Sequence, residues 1–90
     1  MIFVLVHTMV GTVDPAEVRV LKSWDDAYRA MLAQIREGPS EGMHDWYEIY
    51  TEEGEEKASV DINWEDRIMH IYGAATREDV SAAMPEEWRF

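Results

Sequence analysis

Residues 44–63 read HDWYEIYTEEGEEKASVDIN, and their pattern decides the fold. His44 to Thr51 is rich in Trp, Tyr and Ile, the residue types that suit a pleated, half-buried surface. Lys57 to Asn63 alternates: Ala58, Val60 and Ile62 fall on one side, Ser59, Asp61 and Asn63 on the other. Between them, Glu52-Glu53-Gly54-Glu55-Glu56 places four carboxylates around a glycine. They repel one another and want water, so the stretch is a loop. Trp64-Glu65-Asp66 is a short connection, and Arg67 to Gly73 is a further strand. Three strands joined by short loops imply an antiparallel meander.

Working outward, residues 1–9 read as the first strand, and the apolar run Met1 to Val6 within it reads as buried on both faces. Gly11-Thr12-Val13-Asp14-Pro15 is turn chemistry. Glu17 to Lys22 begins with alternation and reads as a second strand paired with the first. A helix follows. Ser23 is a good N-cap, Asp26 stands three residues on, and Asp25 and Asp26 suit the positive end of the helix dipole. Trp24, Ala27, Tyr28, Met31, Leu32 and Ile35 recur at helical spacing as one apolar stripe, with Gln34 on the far side. Gly38 and Pro39 end the helix. Thr76 with Asp79 opens a short second helix through Met84, stopped by Pro85, and residues 86–90 are a tail. The expected architecture is a single α+β domain over residues 1–90. Its order is ββαβββα, an antiparallel sheet with one main helix packed on one face and a short C-terminal helix.

Composition narrows the function. The chain has 90 residues, a net charge of -11 and no cysteine. Disulfides, zinc–thiolate sites and cysteine nucleophiles are excluded, and the cytoplasm is the expected compartment. The opening apolar run lacks a basic flank and falls far short of the ~20 residues of a membrane span. Direct binding to nucleic acid or to an anionic membrane is disfavoured by charge repulsion. The charge is concentrated: from Glu41 to Asp66 there are ten carboxylates against the single Lys57. Trp46, Tyr47, Tyr50 and Trp64 lie in the same segment, so it reads as folded negative surface.

Chemical motifs are few. His7, His44 and His70 all fall on expected strands, and a metal site built from them with Asp45 is the weakest of the readings, since no two have a ligand-type spacing. Asp61-Ile62-Asn63-Trp64-Glu65 starts like a calcium loop, but Asp66 and Tyr72 stand where that loop needs Gly and Glu. Glu48 and Asp61 share a strand face on adjacent strands. No phosphate-binding loop, nucleophile elbow or metalloprotease motif accompanies them, so no catalytic residue, cofactor or enzyme activity is assigned.

The leading expectation is a non-catalytic acidic interaction module that docks on a basic groove of a partner protein. Glu48, Glu52, Glu53, Glu55, Glu56, Asp61, Glu65 and Asp66 supply the field, and Trp46, Tyr50 and Trp64 the desolvated anchors. A partner that itself binds nucleic acid fits this charge. In size and charge, though in no motif, the chain is like the short acidic proteins by which phages and mobile elements block nucleic-acid-handling enzymes. The alternative is a self-associating protein whose aromatic strand face forms a homodimer.

Overall fold

A computed structural model describes residues 1–90. Five strands form one sheet: β1 (Phe3–Met9), β2 (Glu17–Leu21), β3 (His44–Thr51), β4 (Glu56–Asn63) and β5 (Ile68–Gly73). Their order is β2-β1-β3-β4-β5, and every neighbouring pair is antiparallel. The α+β architecture and the ββαβββα order expected above are what the chain forms. Helix α1 (Trp24–Arg36) carries the chain from edge strand β2 across to β3, and α2 (Arg77–Ala83) follows the meander.

Local chemistry sets the ends. Asp26 N donates to Ser23 Oγ at 3.1 Å, and Asp79 N donates to Thr76 Oγ1 at 3.1 Å, so both N-caps satisfy a backbone donor the helix leaves free. Gly73 ends β5 at φ +74, and a Cβ there would stand 2.2 Å from the Lys57 carbonyl oxygen. Only glycine lets β5 pair so closely with β4 at that point.

Both helices cover the same face of the sheet. Ala27, Met31 and Ile35, four residues apart, are fully buried and meet Leu5, Tyr47, Ile49, Val60 and Ile62. Val80, Ala83 and Met84 complete the layer. Tyr28 joins the helices: its hydroxyl donates to Asp79 Oδ2 at 2.7 Å and accepts from Thr76 N at 3.2 Å.

Four sequence expectations are corrected. Leu32 is only half-buried, because it stands 100° round the helix from Met31, towards α2. Gln34 is not on the far side but half-buried, with its amide oxygen shielded from solvent. β1 is buried on one face alone: Val4 and Val6 are half-buried beneath no helix. The C-terminal residues are not a free tail. Glu86–Trp88 forms a 3-10 turn, and the Trp88 ring meets Trp64 edge-on at 6.5 Å. Arg89 holds the turn by donating to the Met84 carbonyl at 2.8 Å.

Candidate interaction face and polar cleft

The register defines the other face of the sheet. One row runs Val20, Val4, Tyr50, Glu56. The next runs Val18, Val6, Glu48, Ser59, Tyr72. Thr8, Trp46, Asp61, His70 form a third, and His44, Asn63, Ile68 a short fourth. No helix covers these rows. Val18, Val20, Trp46, Ile68 and Tyr72 are exposed, and no Lys or Arg stands in them. The carboxylates of Glu48 and Asp61 are therefore set among aromatic and aliphatic side chains with no Lys or Arg registered beside them, whereas Glu56 adjoins Lys57, which sits in the β4 bulge and pairs with Glu55 at 3.4 Å.

Some of these groups are held in place. Trp46 Nε1 donates to Ser59 Oγ at 3.1 Å, which lays the indole across β4 while 40% of the residue stays exposed. The Tyr50 hydroxyl donates to Glu48, whose side chain is largely buried between its neighbours. That hydrogen bond to a carboxylate pushes the Tyr50 phenol up to about 12. His44 Nε2 and Asp61 Oδ1 are 2.6 Å apart, both half-exposed, beside His70 in a shallow depression.

The remaining residues of the acidic segment divide. Glu52, Glu53, Glu55 and Glu56 lie at or beside the β3–β4 loop and are exposed. Glu65 and Asp66 are exposed in the β4–β5 turn, at the opposite end of β4, about 24 Å away for an eight-residue strand. The carboxylates therefore do not form one continuous field. Asp66 also serves its own turn, with its N–H donating to Asn63 Oδ1 at 3.0 Å. Trp64 is corrected outright: it is 1% exposed and belongs to the covered core, so it is no surface anchor.

The structure places a second constellation on the helix side. His7 Nε2 donates to Asp45 Oδ1 at 2.7 Å. Asp45 Oδ2 accepts from Trp64 Nε1 at 2.9 Å and from Ser40 N at 3.0 Å. The His7 ring stacks on Tyr47 with centroids 4.3 Å apart. Burial alone would push the Asp45 carboxyl up. The hydrogen bonds from His7, Ser40 and Trp64 more than offset it, so the carboxyl sits below the usual carboxylate range. Burial, reinforced by the nearby carboxylates of Asp45, Glu37 and Glu17, raises the Tyr47 phenol far out of reach of ionisation. A cleft of about 260 Å³ opens beside this network, with His7, Glu17, Gln34, Glu37, Ser40 and Asp45 as its polar lining.

No family model, curated protein or solved structure matches the chain. The site must be read from its own chemistry. His7 lies on the opposite side of the sheet from His44 and His70, and no three His, Asp or Glu side chains stand close enough to share a metal ion. No helix is long and apolar enough to cross a membrane.

The His7–Asp45–Trp64 network spans sequence separations of 38 and 19 residues, which no local pattern announces. One signal was present. Asp45 stands two residues before Tyr47 and four before Ile49, so it shares their inward face, and an inward carboxylate must have partners.

Proposed function

We propose that the protein is a non-catalytic interaction module and that its open sheet face docks on a basic protein surface. One observation carries the reading: an uncovered face whose rows combine exposed Trp46, Tyr72, Val18 and Val20 with Glu48, Glu56 and Asp61, while Lys57 in the β4 bulge beside them is already paired with Glu55. Apolar side chains left to water in one contiguous layer favour a partner. Carboxylates among them favour a partner that brings its own cations. Trp46 and Tyr50 serve as central anchors, and the loop carboxylates Glu52, Glu53 and Glu55 steer the encounter from the rim.

Homodimerisation through this face is the less favoured reading. A two-fold contact would set the same carboxylates against one another, with only Lys57, already paired with Glu55, beside the rows to receive them. Backbone mimicry of nucleic acid also gains little support. The acids lie singly among apolar groups and at two ends of the sheet, not in a repeating line.

The test is capture of a partner at low salt, followed by rate measurements. Trp46→Ala is expected to speed dissociation by about tenfold or more, as truncated aromatic anchors do. Reversal of Glu52, Glu53 and Glu55 to Lys is expected to slow association instead. If both variants leave the rates unchanged, the open face is not the docking surface.

A further inference from the structure

We infer that the cleft beside His7 is a recognition site for a small organic cation that carries N–H donors, a guanidinium or primary ammonium group. The first observation is where unsatisfied chemistry collects. Four buried side-chain polar atoms in the protein have no hydrogen-bond partner: His7 Nδ1, Gln34 Oε1, Ser40 Oγ and the Tyr47 hydroxyl. The first three belong to residues lining this one cleft, and Tyr47 stacks directly on His7. Buried polar atoms are nearly always paired, so orphans gathered at a single opening call for a polar occupant there, water or ligand.

The second observation is the polarity of those orphans. Asp45 as a carboxylate only accepts, so the hydrogen between it and His7 is carried on Nε2. In the neutral ring Nδ1 is then an acceptor, on a residue only 9% exposed. Facing it at 3.4 Å is Glu17 Oε1, a second acceptor, in charge contact but without hydrogen-bond geometry. At 3.4 Å the two leave no room for an atom between them, but a charged N–H group set beside both from the cleft satisfies them together. The Gln34 side chain lines the same opening, its shielded amide oxygen unpaired, and Glu37 adds a further negative charge. No Lys or Arg lines the cleft to compete. At about 260 Å³ the space suits a head group with a short tail; it falls below the range of ~300–1,000 Å³ usual for larger cofactors and drug-sized ligands. The cleft lies on the helix side of the sheet, so it is independent of the proposed docking face.

The shared chemistry has two sources, a free small cation or an arginine side chain presented by a peptide. The experiment is a titration of the full chain, followed by ¹H–¹⁵N NMR of the His7 ring and the Gln34 amide. The probes are agmatine, a blocked Gly-Arg-Gly tripeptide and tetramethylammonium, which has the charge but no N–H. Saturable shifts at His7 and Gln34 are expected with agmatine at millimolar concentration, and none with tetramethylammonium. Stronger binding by the tripeptide would assign the site to a protein side chain, and stronger binding by agmatine to a free amine. Either outcome supports the inference. Gln34→Ala and Glu17→Gln, which leave the His7–Asp45 pair intact, are each expected to weaken the response about tenfold. Equal shifts with tetramethylammonium, or no saturable shift with any probe, would overturn it.

Discussion

His44 and Asp45 are consecutive residues, and each makes a histidine–aspartate pair, but on opposite faces of the sheet. His44 meets Asp61 at 2.6 Å on the open face, with both side chains about one-third exposed. Asp45 meets His7 at 2.7 Å under the helices, with the aspartate fully buried. The distances are nearly the same; the surroundings are not. Asp45 has lost all its water and is compensated by His7, Trp64 and Ser40 together. Asp61 keeps access to solvent and needs only what its neighbour offers. Period-two alternation thus sends one residue to structure and the next to surface, and the same chemical pair serves different ends according to what it gives up on folding.

The largest expected contrast follows from removing one partner of each pair. Asp45→Ala is expected to cost about 3–5 kcal/mol, because it strands three donors of one largely buried network. Asp61→Ala is expected to cost no more than about 1 kcal/mol. Urea denaturation of the two variants measures both, and equal midpoints would break the comparison.

Tryptophan gives the next contrast. Trp64→Ala removes a fully buried ring that also donates to Asp45, and is expected to cost about 3–5 kcal/mol. Trp46→Ala on the open face is expected to cost less than half as much. Thermal melts of the pair order them.

The smallest of these effects is in pH. The Asp45 carboxyl lies lower in the folded chain than in the unfolded one. Its contribution is therefore fully present above the unfolded value, near 3.8, and is lost as pH falls through the lower folded value. Stability should decline below about pH 4 in wild type, and more shallowly in Asp45→Asn measured against its own neutral baseline. An unchanged acid limb in that variant would move the acid sensitivity to other carboxylates.

The strands and both caps were legible because their signals are local. Ser23 with Asp26 and Thr76 with Asp79 sit three residues apart, and Ala58, Val60 and Ile62 declare an inward face within one strand. The covering of faces was not legible. A chain pattern does not say that Trp88 turns back to Trp64 and away from Trp46, or that Trp64 lies under the helices. Trp64 reads alongside Trp46 because both lie in an acidic stretch, yet the β3–β4 register and the turn after Asn63 separate them. Leu32 and Gln34 depart from the sequence pattern for a related reason: a stripe fixes the centre of a helix face, while its flanks depend on what else packs there.

The direct test of the central claim uses the two indoles on opposite faces. With the captured basic partner added at low salt, the Trp46 Nε1–H resonance is followed alongside that of Trp64. The account predicts that the Trp46 signal shifts and becomes protected from exchange as the complex forms, while Trp64 stays in place. A shift confined to Trp64 and His7, with Trp46 unmoved, would contradict it.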